Sequence, residues 1–155
     1  MIEKIYGRLV CLLSALRHPF LLILRLYWGW HFFEAGKGKL VNLPRVTGFF
    51  QDLGIPFPKL NAMIAGSVEC FGGLLLLVGL GSRLVSIPLA FTMVIAYLTA
   101  DSKAVHEMFS NPEGFLTAAP FLFLLAVVIV MIFGPGGISL DGLFSWLRRR
   151  RESRK

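Results

Sequence analysis

A run of twenty-one residues, NAMIAGSVECFGGLLLLVGLG from Asn61 to Gly81, constrains this chain more than any other stretch. It is long and apolar enough to cross a bilayer, which takes about 20 residues. Glu69 stands near its middle. A carboxylate facing lipid at that depth is costly, so Glu69 must point into protein and have a partner. Gly66, Glu69, Cys70 and Gly73 recur at three- and four-residue spacing and share one helical stripe. Small residues let neighbouring helices approach closely in lipid. The run reads as a packing seam with a charge set into it.

The other segments have the same character. The 155 residues are 55% hydrophobic and only 16% charged, whereas a soluble domain carries about 25% charged residues. The expected fold class is all-α: a four-helix transmembrane bundle with spans near 19–36, 59–80, 83–100 and 114–134. Short amphipathic interfacial helices are expected at the N-terminus, in the first outer loop and at the C-terminus. Residues 1–147 form a single membrane domain, and 148–155 a basic tail. The net charge of +7 is concentrated at the chain ends. There it suits orientation and contact with the lipid bilayer, not binding to nucleic acid. Cys11 and Cys70 form no CxxC pair and no metal-ligand spacing, so neither a disulfide framework nor a metal site is supported.

Near the N-terminus, Ile2, Ile5, Leu9, Leu12, Leu13 and Leu16 alternate with Lys4, Arg8 and Arg17. This spacing predicts a helix lying in the interface. A signal peptide is the weaker reading, because the apolar core is short and lacks an A-x-A-like site. Pro19 is placed to open the first span, which runs to about Gly36. In the following loop, Asn42 as N-cap, Pro44 in the first turn and Gly54 as stop predict a short amphipathic helix. GLGSR is a tight turn between the second and third spans, and Ser139 or Asp141 can cap a terminal helix. With four spans both termini share a side. That side holds Lys4, Arg8, Arg17, Arg83 and the arginine-rich tail, which puts both termini in the cytoplasm.

The first span is rich in polar groups. Tyr27, His31 and Glu34 share one face, and Arg25 lies on another. Counted from the cytoplasmic ends at about 1.5 Å per residue, Arg25 lies roughly 10 Å deep and Glu69 roughly 18 Å. An arginine can bridge most of that gap, so Arg25 is the expected partner of Glu69, with snorkelling to headgroups as its alternative. An intramembrane polar site is expected at Arg25, Tyr27, His31, Glu34 and Glu69. His106 and Glu107 would fold over it from the last outer loop, and Phe49 and Phe50 would roof a cavity open to the outer leaflet. A quinone ring or a lipid headgroup suits such a site. The competing reading makes these residues a hydrogen-bond network that only holds the helices together.

Several of these segments, in this order, resemble the DoxX family of small four-helix bacterial membrane proteins. They are LLILRLYWGWHFFEAGKGK with Arg25, LGIP (Leu53 to Pro56), Glu69 followed by Gly72 and Gly73, the turn ending at Arg83, and GPGGISLD (Gly134 to Asp141). The resemblance implies a multi-pass protein of the bacterial inner membrane. It also implies an association with redox work, as an accessory subunit beside a soluble or membrane redox partner. A carrier for lipids or hydrophobic solutes, or a purely structural membrane partner, is the alternative. No nucleophile–base pair, phosphate loop or haem-attachment motif stands out, so any catalysis is expected to depend on a partner.

Overall fold

The structure, a computed structural model, describes residues 2–152. The side chains of residues 2–5, 8, 9 and 12 lie outside the described set, and with them most of the expected N-terminal interfacial face. Every regular element among the described residues is helical. The order is α1 (Ile2–Val41), α2 (Leu43–Asp52), α3 (Pro58–Val78), α4 (Ser82–Thr99), α5 (Ser102–His106), α6 (Pro112–Thr117), α7 (Ala119–Phe133) and α8 (Leu140–Glu152). Two of them, α3 and α4, are long and apolar enough to cross a membrane, while α7 is apolar but has 15 residues.

Packing follows from small residues meeting backbone. Helix α1 lies along α3, α4 lies along α7, and α3 joins the two pairs through α4. A Cβ added at Gly29 would come within 2.8 Å of the Leu77 amide nitrogen and 2.9 Å of the Gly73 carbonyl. At Gly36 it would run into the backbone of Cys70 and Gly66. Moving seven residues up α1 thus moves seven residues down α3, which makes the pair antiparallel with glycines on both sides of the contact. One core joins the four long helices: Phe32 from α1, Leu76 from α3, Leu89 and Met93 from α4, Val127 and Val130 from α7. Large apolar side chains such as Phe71, Leu84, Phe91 and Leu98 point outward. In a soluble protein such a surface would aggregate; in a bilayer it faces acyl chains.

Three expected boundaries move. Helix α1 is continuous through both the segment expected at the interface and the expected first span, with Pro19 inside it. Proline removes one hydrogen bond and need not end a helix. Nor does Gly36 end it, because that glycine serves the close contact with α3 and the helix runs on to Val41. The fourth apolar segment is interrupted at Ala118, which is extended (φ −60°, ψ 138°) between α6 and α7. Pro120 is the cause: it suits the first turn of α7 but cannot donate to a helix continuing from α6. Asn42 stands at the N-cap position of α2, but its side-chain amide donates to the Gly38 carbonyl (3.0 Å) and makes no capping bond. Pro44 sits in the first turn of α2, and Gly54 adopts φ +71° after it.

Candidate functional site

Glu69 and Arg25 are both buried, 2% and 1% exposed, but they do not meet. Glu69 forms an ion pair and hydrogen bond with Lys39 of α1. The register explains the exchange of partner. Gly36 lies level with Gly66 and Cys70, and Gly29 level with Gly73 and Leu77. Arg25 is therefore about 11 residues, or roughly 16 Å, along α1 from the level of Glu69. Lys39 is a turn beyond that level, and helical side chains tilt back toward the N-terminus, which brings its ammonium down to the carboxylate. The expected Arg25–Glu69 pair is corrected accordingly. Lys39 lies beyond the span end expected at Gly36, and its role becomes visible only once α1 is allowed to pass that glycine.

Arg25 serves the opposite end of the molecule, called here the tail end because α8 leaves from it. Its Nη2 donates to the Ile138 carbonyl (2.5 Å) and its Nη1 to Leu76 (3.5 Å), while Nε has no partner among the described residues. Asp141 completes the lock. Its two carboxylate oxygens accept from the amides of Gly81 (2.8 Å) and Ser82 (3.2 Å), so it caps α4 from a distant part of the chain. Its own amide donates to Gly79 (3.0 Å). A carboxylate at a helix N-terminus is favoured by the helix dipole and by the unpaired amides there. Gly79 has φ +75°, and a Cβ on it would collide with the Arg25 guanidinium and with Ser139. The turn GLGS and the loop GPGGISLD are thus two halves of one clasp. Of the two possible caps of α8, the Ser139 hydroxyl takes the role and accepts from Gly142 (3.0 Å).

The clasp can be tested directly. Asp141→Ala is expected to cost about 1–3 kcal/mol, because the Gly81 and Ser82 amides lose their acceptor. The readouts are a lower Tm in detergent and faster amide exchange at those two residues, and Asp141→Asn is expected to cost less because an acceptor remains.

The remaining expected site residues do not converge. Tyr27 is 57% exposed on the outside of α1, with its ring edge-on to His31 at 4.5 Å. Glu34 is exposed on the same helix, and His31 is half-buried beside Trp28, which packs on Phe123 of α7. Phe49 is exposed and Phe50 half-buried on α2, their rings 6.3 Å apart. His106 is engaged within α5, its Nδ1 paired with the Ser102 carbonyl (2.7 Å), and Glu107 pairs with Lys103 (3.9 Å). No hydrogen bond or ion pair among the described residues links either of them to Tyr27, His31 or Glu34. Glu69 is buried between α1 and α3, whereas Tyr27 and Glu34 are exposed. Gly66 and Gly73 of α3 pack against α1, and Gly72 packs against Leu89 of α4.

An open space lies at the tail end. A cavity of about 640 Å³ is bounded by the α7–α8 loop, the start of α4 and the α1 segment around Arg17 and His18. Arg17 donates to the Phe133 carbonyl and Arg83 to that of Ile132 (3.3 Å), so both guanidiniums close the C-terminus of α7. Nδ1 of His18 accepts from the Gly137 amide (2.9 Å). Sequence reasoning read Arg17 and Arg83 only as orientation signals. Their spacing from Gly134 could not show that they reach the same helix end.

The DoxX family model matches residues 20–102, more than half of the chain. The chain belongs to the DoxX family. Among its DoxX relatives, the "Uncharacterized membrane protein Rv3486" of Mycobacterium tuberculosis is 32% identical over 137 residues, covering 84% of each chain. The "Putative oxidoreductase CatD" of Bacillus subtilis is 29% identical over 120 residues, or 77% of this chain and 83% of the relative. A Haemophilus influenzae protein is 28% identical over 141 residues, 83% of this chain and 89% of its own. No solved structure matches. Family membership and the two long apolar helices make this DoxX chain a membrane protein. The matched segment contains Arg25, Lys39, Glu69 and Arg83, whereas Asp141 and the rest of the GPGGISLD loop lie beyond it.

Proposed function

We propose that this DoxX protein is an accessory subunit of a membrane redox complex, a helical scaffold whose chemistry is supplied by a partner. The observation that carries the reading is how the buried charges are used. Arg25 is committed to backbone carbonyls at one end of the seam and Glu69 to Lys39 at the other, so both hold helices together. The oxidoreductase name borne by the Bacillus subtilis relative supports the redox association. In this reading α1 and α7 join α3 and α4 as spans of a four-helix bundle in the bacterial inner membrane. Both termini lie in the cytoplasm, since Arg17, Arg83 and Arg148 to Arg151 share one end of the bundle.

The orientation predicts that a periplasmically active reporter is silent when fused after Lys155 and active when fused after Gln51. The reverse pattern rejects it. The accessory role predicts that membranes lacking the chain lose a dye-linked quinone reductase activity. A His31→Ala, Glu34→Ala double variant should restore that activity to the wild-type level. Full activity without the chain overturns the reading, and so does a folded double variant that restores none.

A further inference from the structure

The polar cavity at the tail end does not stand alone. A second cavity of about 440 Å³ lies between α1 and the end of α7, walled by Leu16, Phe20, Leu21 and Ile129. Arg17 and Phe133 line both, so the two spaces adjoin: one basic and one apolar. Arg17, Arg83 and Arg149 reach the basic part from α1, α4 and α8, and all three are exposed. They face one carboxylate, Asp141, whose two oxygens already accept the Gly81 and Ser82 amides.

Several features prepare this groove for an anion carrying a hydrocarbon chain. Arg17 and Arg83 are fixed by the α7 carbonyls, and Arg17 also lies over the Phe133 ring (5.6 Å). Each guanidinium has five donors and spends one on α7, so a pre-oriented fork remains for an incoming phosphate. His18 accepts at Nδ1 from Gly137, which leaves its Nε2 proton as a neutral donor at the same rim. Below the arginines the wall turns apolar within one helical turn, from Arg17 to Phe20 and Leu21. A free anion would gain nothing from that trough, and an uncharged lipid nothing from three guanidiniums. Basic pockets between helices at the cytoplasmic face are suited to anionic headgroups.

We propose that this groove binds one anionic glycerophospholipid, its phosphate held by Arg17, Arg83 and Arg149 and one acyl chain lying in the trough between α1 and α7. The bound lipid ties α1, α4, α7 and α8 together at the level of the headgroups. This site is independent of the redox role proposed above and stands or falls separately.

The test uses the full chain in mild detergent, titrated with phosphatidylglycerol, phosphatidylcholine or inorganic phosphate, with native mass spectrometry and Tm as readouts. Phosphatidylglycerol is expected to bind one per chain and to raise Tm. Arg149→Gln is expected to weaken it about fivefold, the worth of one basic side chain at an anionic surface. Among the described residues Arg149 makes no hydrogen bond or ion pair, so the variant should melt as the wild type does without lipid. Lys37→Gln, at the far end of the bundle, should leave binding unchanged. A Leu16→Asn, Phe20→Asn variant changes two exposed side chains of the trough and should weaken phosphatidylglycerol without altering any response to inorganic phosphate. Equal binding of phosphatidylcholine overturns the proposal, as does equal loss from Lys37→Gln and Arg149→Gln. Stabilisation by inorganic phosphate equal to that by lipid, with no effect of the trough variant, shows a free-anion site and also overturns it.

Discussion

Gly36→Val is expected to lower the stability of the bundle by about 3 kcal/mol, at the upper end of what overpacking costs. A Cβ at this position meets the amide nitrogen and Cα of Cys70 and the carbonyl of Gly66. All three are backbone atoms, which cannot rotate aside as a flexible side chain can. The helices must separate, and the dispersion contacts along the α1–α3 seam weaken together. Gly38 is the internal control, two residues along the same helix and with nothing within 4 Å of its would-be Cβ. Gly38→Ala is expected to stabilise by about 0.5–1 kcal/mol, because alanine loses less backbone entropy than glycine in a helix. Thermal unfolding in detergent distinguishes the two. If Gly36→Val melts like the wild type, the seam is not formed by these glycines.

The second large effect concerns charge. Lys39→Met leaves the Glu69 carboxylate buried between α1 and α3 with no cation, at an expected cost of about 3 kcal/mol. The double variant Lys39→Met, Glu69→Gln removes both charges and is expected to recover much of that loss. Arg25 provides the contrast. Because it lies far along α1 and bonds the tail-end clasp, Arg25→Leu and Glu69→Gln are expected to add within about 0.5 kcal/mol. Strong coupling between Arg25 and Glu69, with additivity between Lys39 and Glu69, would restore the pairing expected from depth alone and refute the register.

The partner of Glu69 shows where local reasoning stops. That Glu69 must be buried and paired was legible, since a carboxylate amid apolar residues at helical spacing has no favourable alternative. Which cation it takes was not. Depth counted from assumed span ends placed Arg25 nearest, and an error of about four residues in those ends shifts a side chain by a full turn. Gly36 misled for a related reason. A glycine after an aromatic run signals a helix end by its backbone freedom and a close helix contact by its lack of a Cβ, and only the facing helix distinguishes the two. Pro120 carried a readable signal for the break at Ala118, but the all-apolar run around it masked that signal.

Hydropathy and spacing alone fixed the all-helical class, the membrane character, the family, the small-residue face of α3 and the turns at Gly54 and Gly79 to Gly81. These depend on hydropathy, on spacing along a single helix and on conformations open chiefly to glycine, all of which are properties of short windows. The tertiary structure alone decided that Lys39 serves Glu69 and that Arg25 and Asp141 clasp two loops about 60 residues apart in the chain. It also decided that a cavity opens beside Arg17. Those outcomes follow from the register between antiparallel helices. One glycine-to-backbone contact sets that register, and every side-chain partner along the seam moves with it.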